Sequence, residues 1–259
     1  AAFTRDQEGR WIKEPGPRIA ELTVDKLQTL DVGGLDGCST YGQQYPDQAF
    51  LNNVHIPSLE ELLIFANLPE RNNLALMLEL KSDYEASSPI QERVELVSKV
   101  VSQLRAHKLE TRTVLHSFDW DLLAECQRLA PEMPTSYLSI MPSNIQGVST
   151  TNPTLVCPDF STFQESLPQA VARAGGQMWC PYLADVTEEL VAEAHQFGML
   201  VSVWTVNDPA DVQRMIDVGV DGIVTDYPGR IQRILMAQGI GWRDDRRQVS
   251  ASMRRISSI

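Results

Sequence analysis

No apolar run in the 259-residue chain is long enough to cross a bilayer, so no membrane span is expected. Residues 1–11 are polar and lack the apolar centre of a signal peptide, although a mature exported chain would look the same. A soluble protein of the cytoplasm or the periplasm fits equally well, and nothing in the sequence sets its oligomeric state. Cysteine is scarce: Cys38, Cys126, Cys157 and Cys180 lie far apart, with no CxxC or other ligand-like spacing. Cys126 and Cys180 fall in regular patterns and read as buried free thiols. Basic residues are also few. A net charge of −12 excludes the broad cationic surface that nucleic-acid binding needs. An anionic substrate would therefore need a local cation, either a metal ion or a lysine.

Sustained periodicity is missing from residues 1–57 as well. AFTRDQEGRWIKEPGPRI and DVGGLDGCSTYGQQYPDQ are rich in Gly, Pro, Asp and Gln, so this stretch reads as an irregular, insertion-like surface segment. One short helix is expected behind Thr23, at 25–30. Regular signals begin at 58, where Ser58 and Glu61 form a capping box before Leu59, Leu62, Leu63 and Ala66. Strand-like runs then recur at 74–81 (LALMLELK), 111–118 (TRTVLHSF), 135–140 (TSYLSI), 177–182 (QMWCPY), 199–206 (MLVSVWTV) and 221–225 (DGIVT).

Helix signals follow each strand. Ser88, Pro89 and Gln91 precede the apolar stripe Ile90, Val94, Val97, Val101 and Leu104. Asp119 precedes Leu122, Leu123, Cys126 and Leu129. A long Ser/Asn/Thr/Pro loop then leads to a helix at 163–174, closed by Gly175-Gly176. Thr187, Asp208-Pro209 and Pro228 open the last three. Residues 58–238 thus form alternating units, and 239–259 a polar tail expected to be mobile. Strict β–α alternation implies a parallel sheet with helices outside it, as in a (β/α)8 barrel or a doubly wound sheet. No GxGxxG or Walker loop follows any strand, which removes the nucleotide signature of the second. Barrels carry function at the C-terminal ends of their strands.

At those ends the chain places several candidates. The run 74–81 predicts a strand buried on both faces, ending in Glu79-Leu80-Lys81. Side chains two apart share a face, so Glu79 and Lys81 point the same way. An exposed ion pair of little consequence is the plain alternative. His116 and Ser117 point oppositely; the preferred reading turns Ser117 inward and leaves His116 in the core or against a helix. Trp204 suits barrel packing or a pocket wall, and Asp226 a substrate contact or a helix cap. His55, His107 and His195 sit in a loop, at a helix end and on a helix, and none is a catalytic candidate.

The strings LELKSD, LHSFDW, VSVWTVNDPADVQRMIDVGVDGIVTDYP and HIPSLEEL resemble the glycerophosphodiester phosphodiesterases over residues 4–235. RDQEGRW and 41–48 are similar to the insertion that bacterial members carry after the second strand. The resemblance implies a TIM barrel, of which strands three to eight are recognisable here. It also implies hydrolysis of a glycerophosphodiester to glycerol 3-phosphate and an alcohol, with a divalent metal, Mg²⁺ or Ca²⁺. By position Glu79 would be a metal ligand and Lys81 the catalytic phosphate contact, with Phe118 and Trp204 lining the pocket mouth. The family's two histidines and its Glu-x-Asp pair have no counterpart before Thr4. The resemblance then implies a piece of a longer protein, ahead of a partner that fills the gap or a loss of the chemistry. A phosphate-binding barrel without turnover and a barrel phospholipase of the sphingomyelinase D type are the alternatives.

Overall fold

A computed structural model describes residues 2–13, 16–82, 90–145 and 157–241. The chain clusters into two compact units, residues 1–68 and 69–259. The first is mostly irregular, as its composition implies, but it has an organising centre. Arg5 is 6% exposed and donates to Asp31 Oδ2 at 2.9 Å, the Leu51 carbonyl at 2.7 Å and Asn52 Oδ1 at 2.9 Å. Its guanidinium also lies 4.4 Å from the Phe50 ring centroid and 5.5 Å from that of Trp11. A planar cation can satisfy carboxylate and aromatic partners together, which lets an otherwise irregular segment close on itself. Close approach requires Gly34, where a Cβ would meet the Phe50 ring at 2.6 Å. The short helix α1 (Val24–Leu27) starts behind the Thr23 cap, one residue earlier than expected. Helix α2 (Leu59–Ala66) opens with the Ser58–Glu61 capping box, and the bonds that Glu61 accepts from Ser58 pull its pKa down to about 2.

In the second unit the alternation is realised as strands β1 (Leu76–Glu79), β2 (Thr113–Ser117), β3 (Thr135–Ser139), β4 (Met178–Pro181), β5 (Leu200–Val203) and β6 (Gly222–Ile223). Helices α3 (Ile90–Ala106), α4 (Trp120–Leu129), α5 (Pro142–Ile145), α6 (Leu167–Arg173), α7 (Glu188–Gln196), α8 (Pro209–Val218) and α9 (Pro228–Ala237) lie between and after them. The strands pair in chain order, β1 through β6, and every pair is parallel. A doubly wound sheet needs a reversal of strand order. None occurs here, so the sheet is of the barrel type. Among the described residues no helix is long and apolar enough to cross a membrane.

Local signals set most boundaries. Asp119, Thr187 and Asp208 each accept a backbone hydrogen bond at the start of α4, α7 and α8. Gly175, Gly198 and Gly219 take positive φ at helix ends, as a left-handed cap demands. The helix expected over 163–174 is shorter. Ser166 accepts from Gln169 N and Pro168 follows, so α6 starts there, after a 3₁₀ turn at Phe160–Thr162. The expected cap at Ser88-Pro89 and most of the long loop before Asp159 lie outside the described residues.

One expectation fails at β1. The run 74–81 is not buried on both faces: Leu74 is 46% and Met77 38% exposed. Among the described residues β1 pairs only with β2, so side chains on its inner face have neighbours on one side alone. Leu80, which points to the helix side, is buried. That outer side forms the core. Tyr137 donates to the Ala174 carbonyl at 3.0 Å, Trp179 donates to Ser139 Oγ at 2.9 Å, and both rings are buried. Each large side chain so buried contributes about 1.5–3 kcal/mol.

A buried polar hub ties the end of β1 to its neighbours. Asp119 is 3% exposed; its Oδ2 accepts from Arg93 Nε on α3 at 2.8 Å and from Ser82 Oγ at 2.7 Å. Its Oδ1 caps α4 through Leu122 N, and its own N–H donates to Ser117 Oγ. Removing one partner of a buried pair strands the other charge. We therefore expect Asp119→Ala to lower the unfolding free energy by about 3–5 kcal/mol in chemical denaturation. A loss below about 1 kcal/mol would show that Arg93 finds water instead.

Candidate active site

Parallel pairing decides which side chains share the inner face. Glu79 on β1 is the register partner of His116 on β2, and His116 that of Ser136 on β3. Residues paired in register point the same way, so Glu79, His116 and Ser136 form one row. One step nearer the C-terminal ends, Phe118 follows His116 and Leu138 follows Ser136, with Leu138 paired to Cys180 on β4. Cys180 Sγ lies 3.5 Å from Ser202 Oγ on β5. Tyr137 and Trp179 belong to the opposite, helix-facing side.

His116 is therefore an inner-face residue, contrary to the preferred sequence reading. Ser117 takes the helix side, where its hydroxyl donates to the Leu80 carbonyl at 2.7 Å. Alternation established that the two point oppositely. Only the offset between β1 and β2 could say which one faces inward. Burial is the main influence on the His116 ring and pushes its pKa down to about 4. The Glu79 charge and a backbone hydrogen bond with Ser136 oppose that shift, and Lys81 reinforces it. The imidazole is neutral at pH 7. Burial likewise pushes the Cys180 thiol up to about 12, with the Glu79 charge adding to it, so this sulfur is unreactive.

Glu79 and Lys81 meet as expected: the Lys81 ammonium donates to Glu79 Oε1. The Lys81 side chain is 68% exposed, so its remaining donors are open to an anion. Phe118 and Trp204 are also brought together, their rings edge-to-face with centroids 5.4 Å apart. Trp204 is held by its indole N–H, which donates to the Cys180 carbonyl at 3.1 Å. The sequence reading missed Tyr182, whose ring lies 5.2 Å from that of Trp204. Its place as the last residue of the QMWCPY run was the available signal.

Asp226 neither caps α9 nor stands free. No side chain caps α9; Asp226 Oδ2 accepts from Asn207 Nδ2 at 2.7 Å. Asn207 Oδ1 in turn accepts from Thr225 Oγ1 and Asp226 N, both at 3.0 Å. These bonds lock the loops after β5 and β6 together. Among the described residues no group of three His, Cys, Asp or Glu side chains could hold a metal ion. Among the described strand residues, Glu79 is the one carboxylate on the inner face.

A family model described as "Glycerophosphoryl diester phosphodiesterase family" matches residues 3–230. The chain is similar to a crystal structure from Silicibacter pomeroyi DSS-3, described as a "Putative glycerophosphoryl diester phosphodiesterase". The two share 51% identity with a TM-score of 0.83, over 93% of this chain and 77% of that one. A glycerophosphodiester phosphodiesterase of Bacillus altitudinis is 27% identical over 84% of this chain and 80% of its own length. An uncharacterized Bacillus subtilis protein, YqiK, is 28% identical over 73% of this chain, which spans 66% of that relative's length.

The depressed His116 pKa has a consequence for stability. The unfolded chain takes up this proton near 6.5 and the folded chain only near 4. The unfolded state thus binds more protons between those values, and stability present above pH 6.5 falls as pH drops towards 4. The full effect is about 3 kcal/mol. His116→Leu should remove it, so that variant and parent lose stability unequally in denaturation at pH 7 and pH 4.5. Parallel losses would refute the assignment.

Proposed function

Because the chain belongs to the glycerophosphoryl diester phosphodiesterase family, a family of phosphoric diester hydrolases, we propose that it acts in the hydrolysis of glycerophosphodiesters to glycerol 3-phosphate and an alcohol. The observation that supports this reading is the Glu79–Lys81 pair at the end of β1, which matches the Glu-x-Lys that the family resemblance implies. In a chain of net charge −12, an exposed ammonium on the inner face is the local cation that a phosphodiester needs. Lys81 carries three N–H donors. It can keep its bond to Glu79 and still donate to a phosphoryl oxygen, with more charge to stabilise as the transition state forms. Phe118 and Trp204 wall the mouth on the glycerol or leaving-group side, with Tyr182 as an extension of that wall.

A divalent cation, Mg²⁺ or Ca²⁺, belongs to this proposal, with Glu79 as one oxygen ligand. One carboxylate is not a site, and the described residues do not complete one. The same observation favours a second reading, in which Lys81 binds phosphate without turnover.

Two experiments separate these. On glycerophosphocholine, Lys81→Met should reduce kcat/KM by about 10²–10³, the cost of one lost oxyanion donor. Its thermal stability should stay near that of the parent, because an exposed pair contributes little. A variant within tenfold of the parent would remove Lys81 from the chemistry. Chelation with EDTA should abolish turnover, and Mg²⁺ or Ca²⁺ should restore it. Turnover that survives EDTA excludes the metal. Phosphate binding without any turnover supports the second reading.

A further inference from the structure

Lys81 stands just past the end of its own strand. The ladder between β1 and β2 runs from Leu76–Thr113 to Glu79–His116, and Leu80 N–H then donates to the His116 carbonyl at 2.8 Å. The Lys81 side chain is exposed, and an ion pair in solvent fixes little geometry. The chain on either side of Lys81 is held from elsewhere. Before it, the Leu80 carbonyl accepts from Ser117 Oγ at 2.7 Å. After it, Ser82 Oγ donates to Asp119 Oδ2 at 2.7 Å. Both bonds lead to one residue, because Ser117 Oγ also accepts from the Asp119 N–H at 3.0 Å. Asp119 is itself anchored by Arg93 Nε at 2.8 Å and Leu122 N at 3.1 Å.

Ser117 and Asp119 are buried, and a bond to a charged acceptor is stronger than a neutral one. A lysine has a long, flexible stem, so fixing the chain on both sides of it narrows the positions that its ammonium can take. We propose that Ser82, hooked to Asp119, is a positioning residue that aims the Lys81 ammonium, with the Ser117 bond as its fixed counterpart. The proposal rests on the reading of Lys81 as the phosphate contact and adds to it the residue that sets its placement. Ser82 reaches the first turn of α4 and not the inner face, so it acts through Lys81. Its loss leaves Asp119 with its cation and its helix cap, and the fold should survive.

The test is a double-mutant cycle on glycerophosphocholine with Ser82→Ala, Lys81→Met and the two combined, and with Ser82→Thr as the conservative variant. Ser82→Ala should lower kcat about tenfold, the equivalent of one hydrogen bond, with KM near that of the parent. Ser82→Thr keeps the hydroxyl and should restore most of the rate. In the Lys81→Met background the same Ser82→Ala change should cost less than about twofold, because no ammonium is left to aim. Lysine-selective carbon NMR gives a readout independent of turnover. The Lys81 Cε signal, assigned by its absence from Lys81→Met, should move towards that of free lysine in Ser82→Ala.

An equal loss in both backgrounds would make Ser82 a purely structural residue and overturn the proposal, as would no loss in either. A parent chain without turnover would instead overturn the phosphodiesterase reading on which it rests. The Lys81 signal then decides the positioning by itself: a shift in Ser82→Ala supports it, and an unmoved signal overturns it.

Discussion

The buried carboxylate of Asp119 is the constraint on which the candidate site depends. Taking a charge out of water is expensive, and here the cost is offset by Arg93, by Ser82 and by the first turn of α4. Each partner lies on a different element, so one group fixes the end of β1, the flank of α3 and the start of α4 together. Ser82 follows Lys81 directly. Its hydrogen bond to Asp119 holds the chain just beyond the Glu79–Lys81 pair, and that pair is exposed and would hold little by itself. Precision at the solvent-facing pair thus comes from a buried contact on the other side of the sheet.

Across the sheet, the inner face is more polar than a barrel interior needs to be. Glu79, His116 and Ser136 form one row, and the next row includes Cys180 and Ser202. The outer face takes the opposite course, with Tyr137, Trp179, Leu115 and Val201 buried against helices. Stability and chemistry are therefore separated by face. A hydrophobic substitution on the inner face should spare the fold more than a polar one on the outer face. The aromatic wall of Phe118, Trp204 and Tyr182 continues the inner face at the C-terminal ends of three different strands.

The second locking device, Asn207 with Thr225 and Asp226, shows how one string of residues can look functional and act structurally. WTVNDP and TDYP both lie within the longest family-like stretch of the chain, yet the polar atoms of Asn207, Thr225 and Asp226 in them satisfy one another. Their effect on the site is indirect. They hold the loop that carries Trp204 against the one after β6, and so keep the aromatic wall in place.

What the sequence determined by itself was local. Element order, the caps at Ser58, Asp119, Thr187 and Asp208, the left-handed glycines, and the shared face of Glu79 and Lys81 all follow from hydrogen bonds and periodicities spanning a few residues. The pairing of Phe118 with Trp204 was legible only through the family's pattern. The tertiary structure decided what depends on the offset between strands. Register turned His116 inward and Ser117 outward, set Ser136 beside it, and joined Tyr182 to Trp204. It also left Met77 exposed on a strand with one neighbour among the described residues. A two-residue period says which side chains agree with one another but not which face is inside. That choice is made by partners far away in the chain, which no local pattern contains.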